Sequence, residues 1–198
     1  KLKESYQKSQ IIMDGIVRTL SKIIETRDPY TAGHEDQVAK IACKIAREMK
    51  LPEEQISFIH IAATLHDIGK ICVPSEILTK PSALNNLEKA IIKTHCKVAN
   101  DVLANIEFPY PVAEVIYQHH ERLDGSGYPR GLRGNEIALE ARIIGVADVI
   151  DAMASYRPYR PALGVDAAIE EIVKYRGITY DPDVVDACLT VYKKTART

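Results

Sequence analysis

The feature that most constrains this chain is where its histidines fall on a helical repeat. Apolar residues recur at three- and four-residue steps through most of the sequence, the period of helices buried on one face. Histidines continue those stripes. His34 lies four residues before Val38, and His66 lies four after Ala62 and seven after Ile59. His95 lies four after Ile91, while His119 and His120 lie four after Val115 and Ile116. Asp148 lies four after Ile144 and seven after Ala141, and Asp67 adjoins His66. Residues at these spacings share a helix face. A single inward histidine is ordinarily a core residue with its hydrogen bonds satisfied. Five histidines and Asp148 on buried faces leave too few partners for that reading. Buried polar groups must be hydrogen-bonded, and buried charges paired or bound to metal. A shared metal centre accounts for them together. Imidazoles mixed with carboxylates suit iron, manganese, nickel or zinc rather than magnesium or calcium. Seven candidate donors exceed one tetrahedral or octahedral site, and Asp67 can bridge, so two divalent ions are expected.

The carrier of these side chains is expected to be an all-α bundle. The spacing predicts a leading helix over 1–27, ended by Asp28-Pro29, with a seam at Leu2, Tyr6, Met13, Ile16, Leu20 and Ile23. That seam reads either as a dimerising signal helix, 1–26, or as a helix packed on its own domain. Further helices are expected over about 31–49, from Pro52 to Gly69, over about 86–105, and from Pro109 and Pro111 to His120. Others follow over about 138–155, 166–176 and 182–195, with Asp166 and Asp181 as caps. The glycine-rich stretch 121–136 reads as a loop. No strand is expected. The division is thus a helix, 1–26, and a catalytic domain, 27–198.

Composition removes several function classes. The 198 residues carry a net charge of -1, which gives no general electrostatic case for long nucleic acid or an anionic membrane. No apolar run is long enough for a membrane-spanning helix. Cys43, Cys72, Cys96 and Cys188 form no C-x-x-C pair, and a reducing cytoplasm is the expected setting. The chain does not begin with Met and reads as a piece of a longer protein.

Specific motifs surround the inward residues. His66-Asp67-Ile68-Gly69-Lys70, beside His34 and Asp148, resembles the HD superfamily of metal-dependent phosphohydrolases. The stretch His119-His120-Glu121-Arg122-Leu123-Asp124-Gly125-Ser126-Gly127-Tyr128-Pro129 resembles the signature of its HD-GYP subfamily. Arg130 to Gly134, Ala147 to Met153, Arg157-Pro158-Tyr159-Arg160, Arg27 to His34 and Gly177 to Pro182 continue the likeness over about 27–190.

The resemblance implies an HD-domain helical bundle and a bacterial hydrolase of cyclic di-GMP, giving linear pGpG or GMP. Some members prefer a mixed cyclic GMP-AMP. It implies that His34, His66, Asp67, His95, His119, His120 and Asp148 ligate two divalent ions, iron or manganese first, zinc or nickel next. Asp67 and Lys70 become catalytic, Lys70 meeting the scissile phosphate, and Arg157 and Arg160 hold the ligand. Gly127, Tyr128 and Pro129 form the motif loop. Implied partners are a cyclic dinucleotide, a second copy through the leading helix, an upstream sensor and a cyclic di-GMP synthase. Family members with a third metal carry Glu where Tyr30 stands, which keeps the expected count at two. Cys96 and Ala99 replace a usual Pro and Gly after the fourth helix's histidine, and Ser82 replaces a usual Gly. Other readings are a phosphohydrolase acting on a dNTP or alarmone, and a non-catalytic module binding a partner or sensing ligand.

Several residues have plainer readings. Lys70 also suits a helix end, where a cation meets the dipole. Gly125 to Pro129 also suits a simple turn. Arg122, Arg130 and Arg133 read as solvated charges, and His60 as structural. On a helical wheel Cys96 points away from His95 into the core.

Overall fold

A computed structural model describes residues 2–28, 33–155 and 162–195. Helix follows helix through them. The order is α1 (Leu2–Arg27), α2 (His34–Glu48), α3 (Glu53–Leu65), α4 (Ser75–Leu78), α5 (Asn86–Lys93), α6 (His95–Leu103), α7 (Val112–Gln118), α8 (Leu139–Ala154), α9 (Val165–Lys174) and α10 (Pro182–Thr195). Short 3-10 turns at Ile68–Cys72 and Gly134–Glu136 join them, and the described residues include only two isolated bridges, Asp124 with Arg133 and Arg176 with Tyr180. None of these helices is long and apolar enough to cross a membrane.

α2 is the hub: it packs on α3, α8 and α10, while α6 packs on α7 and on the 3-10 turn after α3. Ile45, Ile59, Ile116, Ile144 and Ile150 are fully buried where these helices meet. Burying such a side chain contributes roughly 1.5–3 kcal/mol each. The core thus sits directly beneath the faces that carry the histidines.

Local chemistry moves some of the expected boundaries. α3 stops at Leu65, and the chain tightens into a 3-10 turn before reaching Gly69. A Cβ on Gly69 would lie 1.9 Å from the His95 carbonyl oxygen, so only glycine lets this turn lie against the start of α6. The single helix expected over 86–105 is broken at Thr94 into α5 and α6. Asn85 opens α5 with a capping box closed by Glu88. Asp181 caps α10, accepting from the Asp183 amide at 2.8 Å. Asp166 is not a cap: Gly164 holds that place, and Asp166 lies in the first turn of α9. The short α4 had no counterpart among the expected elements.

α1 turns one face to the body and leaves another exposed. Val17 and Ile24 turn into the body, while Met13, Ile16 and Ile23 on the expected seam stay exposed. Leu20 is partly buried against the core. The side chains of Leu2 and Tyr6 lie outside the described ones.

Candidate metal centre

The histidines converge because each begins or ends a helix that the core has already aimed. His34 opens α2, His95 opens α6, His66 and His119 follow the last turns of α3 and α7, His120 comes next, and Asp148 lies within α8. His34, His66, His95 and His119 are buried, and His120 and Asp148 keep 18% and 13% side-chain exposure toward a cleft. Donor atoms of His34, His66 and Asp148 lie within 4.8 Å of one another, as do those of His66, Asp67 and His119. A further group joins His95, Cys96, His119 and His120. Asp67 lies between the clusters, with Oδ2 3.5 Å from His66 Nε2 and Oδ1 3.5 Å from His95 Nε2.

The rings are fixed by their other nitrogens. Nδ1 of His66, His95 and His119 donates to the carbonyls of Ala63, Ile92 and Ile116, at 2.7, 2.7 and 2.6 Å. A carbonyl only accepts, so these protons sit on Nδ1 and the Nε2 lone pairs face the centre. His66 Nε2 is buried with no hydrogen-bond partner. His95 Nε2 and His119 Nε2 face each other at 3.5 Å, two acceptors with no proton between them. Converging lone pairs beside carboxylates are a donor set for a divalent cation, so the residues fit the metal that the sequence implies.

His34 is held differently. Its Nδ1 donates to Asp151 Oδ2 at 2.6 Å, and its Nε2 lies 3.2 Å from Asp148 Oδ1. Burial disfavours charge on the ring, but the two carboxylates outweigh it and lift the pKa to about 9. Burial, with His66 and His95 nearby, drives His119 down to about 3. Burial also opposes charge on Asp67, yet Lys70 and the surrounding imidazoles hold its carboxyl well below the usual range. Lys70 Nζ lies 2.5 Å from Asp67 Oδ2 and 3.9 Å from Asp28 Oδ2.

A cleft of about 480 Å³ opens onto this cluster, lined among others by Lys70, His120, Tyr128 and Asp148. Ligand pockets are commonly of this size. Tyr128 stacks on His120 with ring centroids 4.7 Å apart, and Lys93 Nζ sits 4.7 Å from the Tyr128 ring centre. Glu121 holds the loop in place, accepting from the amides of Arg130 and Leu132 at 2.7 and 3.0 Å. At Gly127 a Cβ would lie 2.4 Å from the Arg122 amide nitrogen and 2.5 Å from the His120 carbonyl oxygen. Pro129 follows Tyr128 across a cis bond.

The structure thus brings together His34, His66, Asp67, His95, His119, His120, Asp148, Lys70 and Tyr128. Arg157 and Arg160 lie outside the described residues, as does Tyr30. His60 is exposed and apart from the cluster, and Arg130 and Arg133 are exposed as expected. Two readings need correction. Arg122 is half-buried and donates to the carbonyls of His119 and Glu121, because the loop folds back over the end of α7. Cys96 is core as expected, yet it does not diverge from His95: its Sγ is 3.4 Å from Nε2 of the His95 ring, which the Ile92 carbonyl holds. Sequence spacing gave no role to Asp151, although it lies three residues beyond Asp148 on α8. It also gave none to Glu35, a fully buried carboxyl without a hydrogen-bond partner, whose pKa burial and Asp67 push up.

Known proteins share this arrangement of the chain. The HD domain family model matches residues 18–184. The cyclic di-GMP phosphodiesterase response regulator RpfG of Xanthomonas campestris is 42% identical over 172 residues, 86% of this chain and 46% of that protein. The 3'3'-cGAMP-specific phosphodiesterase 3 of Vibrio cholerae is 37% identical over 182 residues, 92% of this chain and 39% of that protein. The chain therefore spans less than half the length of these relatives. The solved cyclic GMP-AMP-specific phosphodiesterase V-cGAP3 of V. cholerae superposes with a TM-score of 0.58 at 31% identity, over 90% of this chain and 40% of that one. Bd1817, an HDG"Y"P protein from Bdellovibrio bacteriovorus, shares the fold at a TM-score of 0.67 and 18% identity, over 81% of this chain and 51% of that one. With the family match running from within α1 into α10, the chain belongs to the HD domain family, and its Gly127-Tyr128-Pro129 loop puts it in the HD-GYP branch.

Proposed function

We propose that this chain hydrolyses a phosphodiester bond of cyclic di-GMP to give pGpG, with or without further cleavage to GMP. One observation carries the reading: two donor clusters joined by Asp67 lie at the floor of a cleft whose wall holds Lys70 and Tyr128. His34, His66 and Asp148 would hold one divalent ion and His95, His119 and His120 the other, with Asp67 shared. Iron or manganese are the first candidates, zinc or nickel the next. Bound there, such ions supply a water activated at neutral pH and positive charge for the phosphoryl oxygens.

The chain's own groups supply the rest. Asp67, ionised and buried, orients whatever enters between the clusters. Lys70 places an ammonium at the cleft wall for a phosphoryl oxygen. Tyr128 offers a ring face to a nucleobase, and the Glu121 bonds keep that face in position. Water oxygen bonds to phosphorus as the ester bond to the 3′-oxygen breaks, and the released alcohol takes up a proton. Arg157 and Arg160 remain candidates for holding substrate on sequence grounds.

Cyclic GMP-AMP is the second reading, favoured by the named specificity of the V. cholerae relatives. The complete donor set and intact 119–134 stretch argue against a non-catalytic module and against dNTP or alarmone hydrolysis. We also propose a cytoplasmic setting, a homodimer through α1, an upstream sensor and a synthase partner. Incubation with each cyclic dinucleotide under anaerobic iron or manganese, followed by product chromatography, tests the reading. Linear product is expected, and its absence under both metals overturns it. Asp67→Ala should abolish turnover and lose bound metal, and unchanged activity would overturn the site.

A further inference from the structure

One donor group contains a side chain that the imidazole and carboxylate set does not need. Cys96 is fully buried beside His95, and its Sγ lies within 4.8 Å of donor nitrogens of His95, His119 and His120. We propose that Cys96 is a metal ligand, its thiolate joining these three histidines and the shared Asp67 on one ion. The inference rests on the metal centre proposed above.

Distances support it. Zinc-type ions hold nitrogen at about 2.05 Å and sulfur at about 2.3 Å, so two ligands about 110° apart would put nitrogen about 3.4 Å from nitrogen and about 3.6 Å from sulfur. His95 Nε2 and His119 Nε2 are 3.5 Å apart, and Cys96 Sγ and His95 Nε2 are 3.4 Å apart. Both rings have committed Nδ1 to a carbonyl, which leaves each Nε2 lone pair free for a cation, and the sulfur lies within 4.8 Å of both. Without metal the thiol can donate to His95 Nε2; coordination replaces that proton, which leaves to solvent. No other cysteine has these neighbours among the described residues: Cys43 and Cys188 are buried elsewhere, and Cys72 is exposed.

The consequence is chemical asymmetry. Thiolate is a soft ligand and selects zinc or ferrous iron over manganese. The His34, His66 and Asp148 cluster has a hard carboxylate instead. The two halves of the centre would then differ in metal preference.

Cobalt(II) loaded into the chelator-stripped full chain tests this directly. A thiolate-to-cobalt charge-transfer band in the near ultraviolet is expected, retained in Cys72→Ser and lost in Cys96→Ser while cobalt stays bound. The zinc-over-manganese affinity ratio should fall at least roughly tenfold in Cys96→Ser. Alkylation mapped by mass spectrometry on the unaltered chain gives a readout free of any folding defect. Because Cys96 is buried, the reaction is run in mild denaturant with the buried Cys43 and Cys188 as internal references, and cobalt should slow Cys96 more than either. Cobalt bound without the band, a band that survives Cys96→Ser, or Cys96 slowed by cobalt no more than Cys43 and Cys188 would overturn the proposal and leave the metal centre standing. A chain that takes up no cobalt overturns both.

Discussion

Four histidines of the cluster are oriented by a partner on Nδ1, and the partner decides how each responds to pH. His66, His95 and His119 use backbone carbonyls, while His34 uses the Asp151 carboxylate. A carboxylate stabilises imidazolium, and His34 is lifted from 6.5 to about 9. In the metal-free protein this adds stability that is fully present below about pH 6.5 and is lost as pH rises to about 9. The upper bound is roughly 3–4 kcal/mol. His119, lowered to about 3, acts below pH 6.5 and does not mask this window. Denaturant unfolding of chelator-treated protein should therefore show stability falling between pH 7 and 9, and Asp151→Asn should flatten the slope. Metal binding must expel the same proton, so affinity should rise with pH across that window. Asp151→Asn should also weaken metal binding by roughly 10–100-fold, because an outer carboxylate raises ligand basicity. Isothermal titration of the variant checks this, and an unchanged affinity would remove Asp151 as a positioning residue.

Among the elements, the motif loop is fixed by close backbone contact as well as by the Glu121 carboxylate. Gly127 lies where a methyl group would strike the Arg122 amide and the His120 carbonyl, both main chain and unable to yield separately. Gly127→Ala should cost about 1–3 kcal/mol by overpacking. It should also displace Tyr128 from the His120 ring, raising KM for the dinucleotide more than it lowers the thermal midpoint. Parallel kinetics and calorimetry check this, and a KM equal to wild type would sever the loop from binding. The same contrast marks what could be read from sequence. Helical spacing located the inward histidines and Asp148, because apolar burial fixes which face of a helix turns in. It could not locate Nε2 atoms, which lie a full ring beyond Cβ and are steered by carbonyls three residues earlier. Cys96 was misread for that reason: its Cβ diverges from that of His95, but the His95 ring turns back toward it. The break at Thr94 was equally hidden, since Ile92, Lys93 and Thr94 carry no proline or glycine to mark it.

At the scale of the molecule, α1 touches both the body and the chemistry. It packs on α3 and on the 3-10 turn that carries Lys70, and Asp28 at its end lies 3.9 Å from Lys70 Nζ. Ile11, Ile12 and Ile16 on its outer side are 72%, 53% and 51% exposed, a costly arrangement in water unless another surface covers it. A second α1 offers the same stripe, and a two-fold pairing would set both Lys70 residues under one control. Sedimentation should then find the chain as a dimer. Ile12→Glu with Ile16→Glu should give a monomer whose thermal midpoint barely moves, because Val17 and Ile24 still dock the helix. Those substitutions lie far in sequence from the cluster, so bound metal per chain should be unchanged while turnover changes with oligomeric state. A wild-type chain that sediments as a monomer would leave the stripe without its proposed occupant. A dimer that survives both glutamates would place the interface elsewhere on the bundle.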